Sequence, residues 1–183
     1  MKIKEKKIVD HEQFSIIIDR LSYELIENHY DFSETVIIGI QPRGVLLSNA
    51  IVKNLRSISK EVDIYSGNLD ITFFRDDFGR RSDPINAKKL DMNFSLEGKR
   101  VVLIDDVLFT GRSVRAALDA LLTFGRPDQV ELLVLIDRRL KRHLPIEPNY
   151  VGMTVDSIFS EDVVVQWSED LKHNEIFLLK NKL

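Results

Sequence analysis

The chain has 183 residues, of which 44% are hydrophobic and 30% charged, and a formal net charge of −3; this fits one globular domain with a sizeable core and does not advertise wholesale nucleic-acid binding. It contains no cysteine, which excludes disulfides, thiol catalysis and thiolate metal sites. No apolar run reaches membrane-spanning length, and the opening MKIKEKKIVD lacks the apolar core of a secretory signal, so the expected location is the cytoplasm.

Asp10 followed by Gln13 has the spacing of a helix N-cap and its reciprocal partner. Phe14, Ile17, Ile18, Leu21 and Leu25 then mark one helical face. Val36–Ile40, rich in β-branched residues and bounded by Gly39 and Pro42, reads as a buried strand. Val45, Leu47, Ile51 and Leu55 predict a second helix. Residues 62–74 predict one or two strands, because Leu69, Ile71 and Phe73 alternate with Asp70 and Thr72. Residues 75–95 are polar, include Gly79 and Pro84 and show no sustained period; a loop of that length inside a domain is commonly functional or disordered. A strand follows at Val101–Ile104, a helix at 113–124 and a strand at Val130–Ile136, with Gly125 and Pro127 as stop signals. Strand-like pieces close the chain at 150–155, 162–167 and 175–179.

Helices alternating with short apolar strands predict an α/β fold, a parallel sheet covered on both faces. Ligands of such sheets sit beyond the carboxyl ends of the strands. Three polar segments fall there: Gln41–Gly44, Asp105–Ser113 and Asp137–Arg139. The middle one is the most informative. Residues 101–113 read VVLIDDVLFTGRS, an apolar strand running into two carboxylates and then into a polar loop before a helix start. The first N–H groups of a helix have no internal partner, so such a loop suits an anion. Two carboxylates beside it make sense if the ligand carries both a phosphate and neighbouring hydroxyls, as ribose 5-phosphate does. A lone Asp-Asp pair would be read as a solvated strand end; the full loop with two companion segments favours a site. Arg75, Arg80 and Arg81 read equally as a solvated charge run or as a closing lid, and Asp76 and Asp77 as their counter-charges. His143 and His173 read as surface residues, and Trp167 and Phe177 as core.

The 101–113 stretch closely resembles the phosphoribosyl diphosphate (PRPP) signature of type I phosphoribosyltransferases. Leu69-Asp-Ile-Thr-Phe-Phe-Arg-Asp-Asp77, Gly125-Arg-Pro127 and Val134-Leu-Ile-Asp-Arg138, followed by Leu144-Pro-Ile146, resemble the PyrR family, pyrimidine operon regulators that also act as uracil phosphoribosyltransferases. The resemblance implies the type I phosphoribosyltransferase fold: a mainly parallel sheet with helices on both faces, a small hood and a flexible loop. It implies one domain over residues 1–183, a lid at about 75–95 and a base-binding hood from the C-terminal segment at about 150–180. It also implies displacement of pyrophosphate from C1 of PRPP by a nitrogen of the base, through an oxocarbenium-like transition state. Asp105 and Asp106 would accept the ribose hydroxyls, and Val107, Leu108, Phe109, Thr110, Gly111, Arg112 and Ser113 would complete the PRPP loop. Pro42, Arg43 and Gly44 would meet the pyrophosphate, with Arg43 sharing the catalytic role of the two aspartates. Arg75, Asp76, Asp77, Arg80 and Arg81 would belong to the flexible loop, and Arg138, Val155 and Ser157 to the base site. Mg²⁺ would bridge ligand oxygens while keeping several waters, with Asp105 and Asp106 acting on it indirectly.

Phe109 bears on the base. In purine-using relatives the matching position usually carries an Asp that handles a ring proton; an aromatic residue cannot, so the resemblance implies a pyrimidine. The chain also departs from the family pattern. Gln41-Pro42-Arg43 replaces a Thr before the arginine, and the proline makes a cis peptide cheaper there. Residues 139–144 are more basic and one residue longer than the customary Gly-His-Arg-Glu-Leu. Met153 and Asp156 replace the customary Lys and Pro. The other function class implied is an RNA-binding attenuator with weak or no catalysis, which senses UMP as product or effector and binds an mRNA leader. Arg138, Arg139, Lys141 and Arg142, with Lys53, Arg56 and Lys60, would be its phosphate-contacting face; the same charges read slightly better as a solvated surface. A third option is a pseudoenzyme that only senses PRPP or UMP. A homodimer or higher homo-oligomer is expected from the family.

Overall fold

Five strands pair side by side, all parallel, in the order β3-β2-β4-β5-β6. They are β2 (Thr35–Ile40), β3 (Tyr65–Leu69), β4 (Arg100–Leu108), β5 (Gln129–Arg138) and β6 (Tyr150–Val155). A second, antiparallel sheet joins β1 (Lys4–Val9), β8 (Glu175–Lys180) and β7 (Glu161–Gln166) in the order β1-β8-β7. The helices are α1 (His11–His29), α2 (Gly44–Ile58) and α3 (Arg112–Leu121). This computed structural model describes residues 4–60, 62–76, 95–157, 161–168 and 173–180. No helix among them is long and apolar enough to cross a membrane.

The alternation of strand side chains builds two cores. Ile37, Val102, Ile104, Leu133 and Leu135 face α1 and α2, where they meet Phe14, Leu21, Leu25, Leu47, Ile51 and Leu55. Val36, Ile38, Val101, Leu103, Leu132 and Val134 face α3, through Val114, Ala117, Ala120 and Leu121. Val9, Val163, Val165 and Ile176 of the small sheet join the first core, so the small sheet sits on the α1–α2 side. The cap at the head of α1 forms as the sequence implies: Gln13 N–H donates to Asp10 Oδ1 (2.9 Å) and Asp10 N–H to Gln13 Oε1 (3.1 Å).

Two expectations are corrected and one open reading is narrowed. The piece at 150–155, grouped with the hood, is the fifth strand of the main sheet; Tyr150 lies in the first core. The small sheet includes β1 instead, whose sequence KEKKIV has one buried residue among its described side chains, Val9, and so carries no readable period. Of the one or two strands expected over residues 62–74, the structure forms one, Tyr65–Leu69. Asp70 Oδ1 accepts both the N–H and the hydroxyl of Thr72, an Asx turn that ends pairing and sends Thr72–Phe74 into a 3-10 turn. Phe73, the last of the alternating apolar residues, is therefore 59% exposed. Finally, Asp105 and Asp106 belong to β4 itself and not to the loop, since Asp105 pairs with Val134 and Leu108 with Asp137. Of the lid, Asp77, Arg80 and Arg81 lie outside the described residues.

At the amino edge of the sheet, a buried polar network was not anticipated. His29 meets Thr35 through Nδ1 (3.0 Å) and Glu131 through Nε2 (2.9 Å), and the Tyr150 hydroxyl donates to Glu131 (3.0 Å). It satisfies groups that burial would otherwise leave unpaired.

One close approach locks the carboxyl edge. A Cβ on Gly44 would lie 2.3 Å from the Ile104 carbonyl oxygen, so the first turn of α2 rests directly on the backbone of β4. Gly44→Ala is expected to lower stability by about 1–3 kcal/mol, because backbone cannot yield as a side chain does. Urea unfolding checks it, and a wild-type midpoint would show that the contact is loose.

Candidate active site

β4 is paired on both sides, so its last residues are fixed in space. Asp106 N–H donates to Asp105 Oδ1 (2.9 Å) and Val107 N–H to Asp106 Oδ1 (2.8 Å). Asp106 is 5% exposed, and its Oδ2 has no hydrogen-bond partner among the described residues. Burial raises the Asp105 carboxyl well above the ordinary carboxylate range, and the charge of Asp106 adds to the rise. Burial also raises Asp106, while the Arg43 guanidinium draws it back down. Two acids on consecutive residues thus hold a charge that the protein alone only partly balances.

Arg43 stands at the head of α2, placed there by the tight Gly44 contact and preceded by a cis Gln41–Pro42 peptide. Its side chain is exposed at the mouth of a cleft of about 590 Å³. The cleft is lined by Gln41, Pro42, Arg43, Asp105 and Asp106, with Val107, Phe109 and Ser113 beyond them. Val163 of β7 reaches it from the small sheet, and Thr72 and Arg75 from the turn after β3. Gln41 Oε1 is a second buried polar atom in this cleft that finds no partner among the described residues. Such atoms ask for a ligand or water.

Beyond Leu108 the chain turns through Phe109, Thr110 and Gly111 into α3. Gly111 has φ +89, in the left-handed region that favours glycine. The Arg112 N–H reaches Thr110 Oγ1 at 3.4 Å, and α3 begins without a side-chain cap. The loop therefore presents N–H groups at a helix N-terminus, the arrangement that binds phosphate. Arg75 donates to Ser113 Oγ (3.5 Å), and Asp76 pairs with Arg112 (2.6 Å). The first residues of the expected lid are thereby tied to the start of α3.

Arg138, Val155 and Ser157 come together behind Phe109. Arg138 pairs in register with Val155 across β5 and β6. Its guanidinium lies 4.1 Å from the Phe109 ring centre, within cation–π range. Its donors are engaged: Nε to Ser157 Oγ (2.8 Å) and Nη2 to the Glu161 carbonyl (2.7 Å). Burial lowers its pKa, with Asp162 opposing. Two of the three departures from the family pattern meet here as well. Arg139 donates to Asp156 through Nε (3.1 Å) and Nη2 (2.9 Å), so the altered segments are joined by one bidentate pair.

The structure thus gathers Pro42, Arg43, Asp105, Asp106, Val107, Phe109 and Ser113 around one cleft. Gly44 serves through its backbone contact. Leu108 does not face the cleft; it is 1% exposed in the α3 core. Thr110, Gly111 and Arg112 lie in the adjoining turn, and Arg138, Val155 and Ser157 form a layer behind. Sequence reasoning placed Gln41 in a candidate segment without giving it a role, and assigned no role to Thr72 or Val163; the Asp-x-Thr spacing at 70–72 was the available signal for Thr72. The expected basic face does not form as one free surface among the described side chains: Arg138 is buried, Arg142 pairs with Asp137, and Arg139 with Asp156.

Comparison with known proteins bears on the family and the fold. The phosphoribosyl transferase domain family matches residues 5–172. A bifunctional protein PyrR from Haemophilus ducreyi is 42% identical over 163 residues, 88% of this chain and 89% of its own. One from Geobacter sp. is 40% identical over 94% of this chain and 97% of its own. Among solved structures, a hypoxanthine phosphoribosyltransferase from Staphylococcus aureus superposes with a TM-score of 0.68 at 20% identity, over 93% of this chain and 90% of that one. A hypoxanthine phosphoribosyl transferase from Trypanosoma cruzi gives 0.70 at 17%, over 96% and 92%. At such identities these two likenesses establish the fold.

The raised carboxyl pKa has a thermodynamic sign. Between the ordinary Asp value of 3.8 and the raised one, the folded state binds more protons than the unfolded, so stability falls as pH rises through that window. Asp105→Asn removes the strain and keeps an acceptor for the Asp106 N–H. The variant is expected to unfold at a higher temperature than wild type at pH 8, by an amount worth about 1–3 kcal/mol, with the gap closing toward pH 4. Equal melting temperatures across that range would contradict the burial of the pair.

Proposed function

The chain belongs to the PyrR family of phosphoribosyl transferase domain proteins, and on that premise we propose that its cleft transfers the phosphoribosyl group of PRPP to uracil, giving UMP and pyrophosphate. The observation that carries this reading is the buried, incompletely paired carboxylate of Asp106, set beside Asp105 and one turn from a loop that offers N–H groups to a phosphate. A sugar phosphate is the ligand class that answers both features.

In the reaction, the C1–O bond to pyrophosphate breaks with its electron pair, the uracil N1–C1 bond forms, and the N1 proton passes to water. The transition state carries positive charge on the ribose ring. Asp105 and Asp106 accept the ribose hydroxyls and lie close to that charge, so their combined negative charge stabilises the ring more as it becomes cationic. Arg43 opposes the charge developing on the leaving group. Thr110, Gly111, Arg112 and Ser113 hold the 5-phosphate. Arg75 and Asp76 begin the lid that excludes water, and its anchorage on Ser113 and Arg112 links closure to the phosphate loop. Phe109 offers an apolar face with no titratable group, which suits a pyrimidine. Arg138 braces that ring and Ser157, and leaves base recognition to the backbone around Val155–Ser157.

Mg²⁺ fits the donor set, since two carboxylates, one with a partnerless oxygen, suit a hard cation bound mainly through ligand oxygens and water. Asp105 and Asp106 would hold it indirectly, through ligand oxygens and water, and when bound it would neutralise charge on the pyrophosphate. Family membership carries the regulatory role too, with UMP as effector and a pyrimidine-operon mRNA leader as partner. We assign the assembly to a homodimer or a higher homo-oligomer.

Incubation with PRPP, Mg²⁺ and each nucleobase in turn is expected to yield UMP from uracil and no nucleotide from guanine or hypoxanthine. Steady turnover with either purine would overturn the pyrimidine reading. Asp106→Asn is expected to lower kcat at least about 100-fold with the fold intact by circular dichroism; an unchanged rate would refute its role. Filter binding of the leader with UMP present is expected to weaken steeply as salt rises, and no binding near physiological salt would remove the regulator reading.

A further inference from the structure

The outer side of the phosphate loop is held by a short segment that the reaction itself does not use. Arg142 Nη1 donates to the Phe109 carbonyl at 2.8 Å, and its Nη2 pairs with the Asp137 carboxylate at the end of β5. The N–H groups of His143 and Leu144 both donate to the Thr110 carbonyl, at 3.0 and 3.3 Å. Ile146 packs against the loop beyond them; a Cβ on Gly111 would lie 3.1 Å from its Cδ1. Arg142 and Asp137 are 18% and 12% exposed in their side chains, so their contact is a charge-assisted bond in a largely dry setting, which is the strong kind.

These bonds decide where two N–H groups point. A trans peptide is planar, with its C=O and N–H on opposite sides. Fixing the Phe109 carbonyl toward Arg142 turns the Thr110 N–H the other way. Fixing the Thr110 carbonyl toward His143 and Leu144 does the same to the Gly111 N–H. Neither N–H has a protein acceptor among the described residues. Two donors are thus aimed away from the 142–146 segment, next to the uncapped start of α3.

We propose that Arg142, anchored by Asp137, is a positioning residue for phosphate binding: it locks the two peptide planes of Phe109-Thr110-Gly111 so that their N–H groups face the 5-phosphate. Arg142 touches no reacting atom. Without it the Phe109-Thr110 peptide is free to flip and present its carbonyl oxygen to an anion. Binding of a phosphorylated ligand then falls, while binding of the same ligand without its phosphate does not. This rests on the assignment of the loop to the 5-phosphate.

The test is calorimetric titration of the full chain with UMP and with uridine, for wild type, Arg142→Gln, Arg142→Lys and Asp137→Asn. Arg142→Gln is expected to weaken UMP about tenfold or more and to leave uridine unchanged. Arg142→Lys keeps one donor in place of a fork and is expected to fall between the two. Asp137→Asn, which frees Arg142 from its anchor, is expected to weaken UMP in the same selective way. If Arg142→Gln fails to fold, Arg142→Lys and Asp137→Asn decide the matter by the same selective loss. Unchanged UMP affinity in the folded variants overturns the proposal, as does an equal loss for UMP and uridine, which marks a merely structural role. A wild type that binds UMP no more tightly than uridine overturns the phosphate assignment itself, and is distinct from either result.

Discussion

Two consecutive carboxylates at the end of a central strand, Asp106 buried and Asp105 half-buried, are the constraint around which the carboxyl edge is arranged. Asp105 and Asp106 cannot separate, because β4 is paired on both sides, and they cannot be neutralised by each other. Arg43 offsets part of their charge, and it can approach only because Gly44 brings α2 onto the backbone of β4. The phosphate loop must begin three residues later, since the same strand delivers it. The charge that the protein leaves partly unbalanced costs stability, a division of stability and function that active sites commonly show, and a ligand with hydroxyls on one side and a phosphate on the other is the one proposed to complete it.

Behind this pair lies a second layer that keeps the loop in shape. Arg138 stacks on Phe109 and holds Ser157 and β7, while Arg142 and Asp137 hold the Phe109 carbonyl. Both arginines lie in the stretch that a count of charges would assign to a nucleic-acid surface. Arg138 is buried and Arg142 is held by Asp137 and the Phe109 carbonyl, which shows why such counts mislead: a guanidinium with good partners serves as an internal brace. The Arg139–Asp156 pair extends the pattern. Two of the segments that depart from the family pattern are thus in contact, and, being exposed, the pair adds little stability.

Much of this was legible in the chain. The helix start at Asp10–Gln13, the apolar strands and the convergence of three polar segments follow from periodicity and cap chemistry, and the structure bears them out. The resemblance carried by residues 101–113 agrees with the family match over residues 5–172. Most of what escaped depends on contacts between residues far apart in sequence. Strand β1 is recruited by β8, some 170 residues away, and its own sequence is mostly charged. The His29–Glu131–Tyr150 network joins a helix end to two strands. The turn at Asp70–Thr72 was local, but the alternation of Leu69, Ile71 and Phe73 imitated a continuing strand. The Arg142 brace depends on a carbonyl that no side-chain pattern reveals.

Carboxyl-carbon NMR titration of Asp105 and Asp106 tests most directly whether a buried acidic pair reads the ribose. The free protein should show the pair titrating above the ordinary carboxylate range, and UMP should shift both carboxyl signals while inorganic phosphate leaves them in place. Ordinary titration of both residues, with no response to UMP, would contradict the account.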